Sequence, residues 1–257
     1  MLIRELIEIL NKEIPEIDQE NWDNSGSQLG NKDNEIKGII LCMDILDETI
    51  DYAIENDCNL IISHHPFFFN NIKSLTNDSI KGEKAYKLIK NDIYVYSLHT
   101  SFDLYKEGVS IQLGKALELE AISTLEENND LAYGMVSKIS PVKAKDFAIK
   151  MKDILALDNI ICYGNLDKEV SLIGLMGGSG SSFVKKAIDL NLDMYISGDI
   201  KYHDYLDAIE NGLVVLDIGH FSSEFPGLYK LKEIIEENGD FNILIYKPDD
   251  KYGRKII

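Results

Sequence analysis

Apolar side chains at Leu2, Ile3, Leu6, Ile7 and Leu10 share one stripe of a 3.6-residue repeat, which predicts a helix over residues 2–12. A run of turn formers follows, from Asp23 to Gly30. Then one hydrophobic pattern occurs twice. Its first copy has an apolar run at Gly38–Met43, a helical stripe through Ile45, Leu46, Ile50, Ala53 and Ile54, and a short run Leu60-Ile61-Ile62. A helix around Ala85–Ile89 and the run Ile93–Ser97 complete it. The second copy has Val170–Met176, a stripe through Phe183, Val184, Ala187 and Ile188, the run Met194-Tyr195-Ile196, a helix around Tyr205–Ile209 and the run Leu213–Asp217. Both copies read strand, helix, strand, helix, strand. Their short, fully apolar runs are those of strands buried on both faces, and crossover helices make such strands parallel.

Between the copies, residues 131–163 predict strand, helix and strand at Tyr133–Ile139, Ala144–Leu155 and Ile160–Tyr163. After Glu224 come a helix to about Glu237, a stop at Gly239 and a last strand, Phe241–Tyr246. The expected fold is therefore α/β: two interlinked, internally duplicated domains with mostly parallel sheets and a metal site in the cleft between them. Their expected boundaries are 1–124 plus 212–257 for the first domain and 125–211 for the second.

The metal enters through the histidines. There are only five, each at or just past the end of a predicted strand: His64 and His65, His99, His203 and His220. That sheet edge is where open α/β folds bind ligands. His99 has Asp103 four residues on, and His220 has Glu224 at the same spacing, at matching places in the repeat. If a helical turn starts there, each pair shares a face. Imidazole with carboxylate suits zinc, manganese, iron or nickel. His64-His65-Pro66 needs an irregular strand end if both rings serve one ion, because adjacent strand residues face opposite ways.

Other segments admit two readings. Gly177-Gly178-Ser179-Gly180-Ser181-Ser182 lies between a strand and a helix, so Gly178, Ser179, Gly180 and Ser181 are candidates to cradle an anion, or they form a tight turn with a serine cap. His203, within Gly198-Asp199-Ile200-Lys201-Tyr202-His203-Asp204, is a candidate acid or base, as is His99. Trp22-Asp23-Asn24-Ser25-Gly26 reads as a structural turn with a buried tryptophan and carries no assigned chemistry.

Composition narrows the partners. A formal charge of −18 argues against binding nucleic acid non-specifically and against an anionic membrane surface, but leaves room for a small phosphorylated substrate beside a metal ion. Three scattered cysteines, Cys42, Cys58 and Cys162, read as reduced thiols, and the charged, amphipathic start is unlike a signal peptide. No apolar stretch spans a bilayer. A cytoplasmic location is expected.

His64-His65-Pro66, His99-Thr100-Ser101-Phe102-Asp103, Gly177–Ser182, Gly198-Asp199 with Tyr202-His203-Asp204, and Gly219–Glu224 resemble the signature segments of the YbgI-like family, whose members are named GTP cyclohydrolase 1 type 2 homologs. The segment from Trp22 to Gly30 fits that family's N-terminal part, so the resemblance covers nearly the whole chain, in the short form. It departs at Ser101-Phe102, where the family commonly has Asn-Leu, at Phe221 for Tyr and at Ser27 for Leu. The resemblance implies two divalent ions per chain, held by His64, His65, Asp103, His220 and Glu224, with Glu224 bridging, and a homohexameric ring built as a trimer of dimers. It points to a metal-dependent hydrolase of a small-molecule substrate such as a nucleotide, by cyclohydrolase-like or phosphoester hydrolysis. The alternative is a non-catalytic metal-binding scaffold or regulator.

Overall fold

The computed structural model describes residues 1–128 and 131–249. In chain order its helices and strands are α1 (Ile3–Glu13), β1 (Gly26–Leu29), β2 (Ile39–Cys42), α2 (Asp47–Glu55), β3 (Leu60–Ser63), α3 (Ile80–Lys90), β4 (Tyr94–Ser97), α4 (Thr100–Asp103) and α5 (Val109–Ala116). There follow β5 (Ala121–Ser123), β6 (Glu126–Asn128), β7 (Leu131–Tyr133), β8 (Met135–Lys143), α6 (Ala144–Ile154), β9 (Ile161–Tyr163) and β10 (Glu169–Ser179). The chain ends through α7 (Val184–Asp189), β11 (Met194–Gly198), α8 (Tyr202–Glu210), β12 (Val214–Asp217), α9 (His220–Glu224), α10 (Gly227–Glu236) and β13 (Ile243–Ile245). Both copies of the expected repeat are present as β2-α2-β3-α3-β4 and β10-α7-β11-α8-β12.

The chain forms two compact units. The first is Met1–Phe102 with the segment from Leu231 onward, and the second is Asp103–Lys230. The cuts at 102/103 and 230/231 differ from the expected 124/125 and 211/212. The reason lies in the sheets: β12 pairs with β11 and β9, and β5 with β8, so 121–123 and 214–217 belong to the second unit. The expected first domain also included residues 250–257, which lie outside the described residues.

In the first unit the strand order is β1-β4-β3-β2-β13. All of its pairs are parallel except β1 with β4. Strands β2, β3 and β4 are buried along their whole length, as strands covered on both faces must be. Ile40, Ile61 and Val95 turn one way, onto Ile50 and Ala53 of α2 and Ala85 and Leu88 of α3. Helix α1 buries Ile3, Leu6 and Leu10, and its start is capped by Glu5, whose carboxylate accepts the Leu2 N–H at 2.8 Å.

In the second unit the order is β5-β8-β10-β11-β12-β9. Only β10, β11 and β12 are mutually parallel, and β5, β8 and β9 join antiparallel. The expected parallel character therefore holds for the duplicated strands but not for the hairpin-type additions from residues 121–163. Strand alternation divides the core in two. Met194, Ile196, Val214 and Leu216 pack with Phe147 and Met151 of α6, whereas Tyr195 and Val215 pack with Val184, Ala187 and Ala208 of α7 and α8. No helix among the described residues is long and apolar enough to cross a membrane.

Candidate metal centre

The C-terminal ends of the parallel strands carry the chemistry in each unit. In the first unit β3 stops at Ser63. His64 and His65 continue the hydrogen-bond ladder with β2's exit, donating their N–H groups to Cys42 O and Met43 O at 2.9 and 3.0 Å. The chain curls there, because the Ser63 hydroxyl donates to His65 O at 2.8 Å. Strict strand alternation therefore no longer applies. The two imidazoles lie 5.1 Å apart, and His99, just beyond β4, brings its ring to 5.3 Å from His64 and 5.5 Å from His65. One ligand atom from each of the three lies within 4.8 Å of the others.

Each of these rings is aimed by an acceptor. His64 Nδ1–H donates to the Leu98 carbonyl at 2.8 Å, His65 Nδ1–H to Asp44 at 2.9 Å and His99 Nδ1–H to Asp23 at 2.7 Å. A carbonyl or carboxylate oxygen can only accept, so a proton must sit on Nδ1, and in the neutral ring Nε2 keeps its lone pair. The same arrangement orients histidines bound to metals. His64 is buried, and the Asp23 side chain is fully buried beneath His99. Asp23 also accepts from the Thr100 N–H and hydroxyl and from the Ser25 hydroxyl. Burial raises its carboxyl pKa, but the hydrogen bonds from His99, Thr100 and Ser25 outweigh burial and hold it well below the usual carboxylate range.

The second unit repeats the device. His220 opens α9 directly after β12, and its Nδ1–H donates to Asp199 at 2.8 Å, just past β11. Its Nε2 lies 3.1 Å from an oxygen of Glu224, so the spacing of four does fall on one helical face. Glu224 is 3% exposed. A Cβ at Gly178, whose φ is +70°, would sit 2.1 Å from Glu224 Oε1, so this glycine makes room for the carboxylate. Likewise a Cβ at Gly198 would lie 2.6 Å from His220 N. Asp103 ends α4, the helical turn that its spacing from His99 predicts.

The loop considered for an anion spends its groups internally. Gly177, Gly178 and Gly180 donate their N–H groups to Ser110 Oγ, Ser223 Oγ and Gly198 O. Ser181 is buried, donates to Asp204 and accepts from the Lys201 N–H. Ser179 stays in β10 opposite Gly198. His203 is exposed on α8 beside the Tyr202 ring, and it belongs to none of the His, Cys, Asp and Glu groups with ligand atoms within 4.8 Å among the described residues. Trp22 is 60% exposed, not buried. Asp44 is the site residue that sequence reasoning did not single out, and Asp23 and Asp199, though within named segments, were given no role. Asp44 and Asp199 sit at the same strand ends as the histidines, and that rule would have found them. Cys42, Cys58 and Cys162 are free, and burial pushes each thiol's pKa up, which disfavours the thiolate a metal would need.

These features define an α/β protein whose strand ends carry oriented imidazoles and a buried carboxylate, a donor set that fits divalent transition metals. The chain belongs to the Duf34/NIF3 (NGG1p interacting factor 3) family, whose sequence profile matches residues 1–251. Its relatives include the GTP cyclohydrolase 1 type 2 homolog of Clostridium perfringens, 32% identical over 95% of this chain and 94% of the relative. The homolog of the same name from Streptococcus pneumoniae is 33% identical over 86% and 85%. Among solved structures, a hypothetical protein of Staphylococcus aureus superposes with a TM-score of 0.92 at 26% identity, covering 100% of this chain and 99% of that one. Reduced HcgD from Methanocaldococcus jannaschii does so at 0.81 and 29%, covering 95% and 97%.

Proposed function

We propose that this chain is a metal-dependent hydrolase in which His64, His65, Asp103, His220 and Glu224 hold two divalent ions. The observation that carries the reading is the engagement of Nδ1 in four rings at three strand ends, His64, His65, His99 and His220, by an acceptor-only oxygen. Such preorganisation leaves four Nε2 lone pairs for coordination or proton transfer. Zinc, manganese, iron and nickel all suit the donors, and the bound ions would supply Lewis acidity toward the bond to be cut and toward water.

The chain's own residues do the rest. With Nδ1–H committed to Asp23, His99 presents Nε2 as a base for the attacking water's proton. The imidazolium so formed is stabilised by the buried Asp23 carboxylate. Glu224, placed by Gly178 and facing His220, would be the carboxylate that helps to hold the ions. His203 belongs to it only as an exposed group that could meet substrate from α8. Relatives named GTP cyclohydrolase 1 type 2 homologs support a nucleotide as the substrate class. A hexameric ring in the cytoplasm completes the proposal.

The test is Glu224→Gln. Metal per chain and hydrolysis of a panel of nucleotides and model phosphoesters should fall together. Full activity in a metal-poor Glu224→Gln protein would contradict the reading. A metal-replete wild type that turns over nothing in the panel would favour the scaffold alternative.

A further inference from the structure

Two exposed aromatic rings stand beside the histidine cluster of the first unit. Trp22 is 60% exposed and Phe69 is 53% exposed. Their ring centroids lie 6.0 Å apart at 47°. Both also meet His99, Trp22 at 5.9 Å and Phe69 at 6.0 Å, each nearly edge-on. Single exposed apolar residues need no explanation, but a fixed pair against a largely buried polar ring does.

The pair is fixed by hydrogen bonds between its two loops. Asn24 Nδ2 donates to Phe68 O at 2.6 Å, and the Phe68 N–H donates to Gln28 Oε1 at 3.0 Å. Gln28 Nε2 in turn donates to Asn24 O at 2.7 Å. On the other side of Trp22, Asp23 is held by Thr100, Ser25 and His99. Two polar side chains are thus spent on keeping Phe69 beside Trp22, although neither ring is buried by the arrangement.

We infer that Trp22 and Phe69 form a subsite for a planar heteroaromatic ring, such as a nucleobase, and set that ring against the His99 imidazole. Aromatic faces bind such rings by stacking, and stacking tolerates different heterocycles. An ammonium ligand fits less well. A cation cage gains from a carboxylate facing it, and Asp23, next to Trp22 in the chain, is fully buried and already bonded to His99, Thr100 and Ser25. The assignment rests on reading the histidine cluster as the reacting centre and adds the part of the substrate held beside it.

Trp22 is the only tryptophan, so its fluorescence reports this subsite alone. The full chain, as purified and after loading with manganese, is titrated with guanosine, GMP and ribose 5-phosphate. Guanosine and GMP should quench Trp22 emission saturably, and ribose 5-phosphate should not. Phe69→Ala should raise the half-saturating guanosine concentration about 5- to 150-fold, a typical loss for one stacking partner, with an unchanged far-UV spectrum and metal content. Trp22→Phe, followed by calorimetry, should keep most of the affinity. Unchanged affinity in Phe69→Ala, equal quenching by ribose 5-phosphate, or an emission that guanosine never alters overturns the subsite. So does emission shielded from acrylamide at every protein concentration, which would mean that a second copy covers the pair. Metal-replete protein with an unresponsive Trp22 sinks the subsite and leaves the hydrolase reading standing. Guanosine binding by a chain that takes up no metal does the reverse.

Discussion

Gly178→Ala is the perturbation whose cost can be worked most fully from the structure. The added Cβ would lie 2.1 Å from Glu224 Oε1 and 3.1 Å from its Cδ, so the carboxylate must retreat by about 0.9 Å to reach even 3.0 Å. Glu224 is 3% exposed and closely packed, and it cannot retreat without loosening its 3.1 Å contact with His220. Forcing a packed side chain aside in this way costs about 1–3 kcal/mol. Holding alanine at a left-handed φ costs about 1–2 kcal/mol more. The sum, roughly 2–5 kcal/mol, corresponds to a Tm lower by about 4–20 °C for a chain of this size. Gly212 supplies the control, since its φ of +71° matches the +70° of Gly178 but a Cβ there meets nothing within 4 Å. Gly212→Ala should therefore show the backbone term alone, about 1–2 kcal/mol. The assay is urea unfolding of wild type and both variants, with metal content measured on the same samples. Equal destabilisation by the two substitutions, with Gly178→Ala retaining wild-type metal, would refute the argument that Gly178 exists to admit Glu224.

Three other predictions follow from the hydrogen bonds. Asp199→Ala and Asp44→Ala remove the acceptors behind His220 and His65, and each should weaken metal uptake about 10- to 100-fold in a competition titration while leaving the secondary structure intact. Asp23 has a folded pKa below its unfolded value, so its stabilisation is present above the unfolded value of about 4 and fades as pH falls. Asp23→Asn should flatten the pH dependence of stability on the acid side of about pH 4, and an unchanged acid limb in urea unfolding would contradict that role. Asp193 accepts from Ser171 N, Leu172 N and the Ser171 hydroxyl at 3.0, 3.0 and 3.2 Å, fastening the start of β10. Asp193→Ala should cost about 1–3 kcal/mol at neutral pH, and less in acid, because burial raises its carboxyl pKa but these bonds and Lys168 lower it further.

Much of this was written in local sequence. The duplicated strands stand out because each is a short run of buried apolar residues, and both α1 and α6 follow a 3.6-residue stripe. His64, His65, His99 and His220 stand out because each follows the end of such a run, whereas His203 lies within α8, and His220 with Glu224 needed only a helical turn to meet. What was not legible is non-local. Asp23 reaches His99 across 76 residues and Asp44 reaches His65 across 21, and no spacing rule joins them. The glycine-serine segment illustrates the same limit. Locally, Gly177–Ser182 looks like an anion loop, but Gly178 is glycine because of a side chain on α9, far along the chain. The antiparallel strands β8 and β9 were legible as strands but not as partners of this sheet, since strand periodicity fixes a strand but not its neighbour, and the short, exposed β5 carries no such pattern. Trp22 was expected inside on hydrophobicity alone, and its exposure became visible only with Phe69 beside it.

The central claim is that the oriented imidazoles and the buried carboxylate hold metal. It is tested most directly by elemental mass spectrometry of the chain purified without an affinity tag or chelator. The account predicts about two divalent ions per chain, falling well below that in Glu224→Gln. Substantially no metal, with no uptake when zinc, manganese, iron or nickel is added, would contradict it.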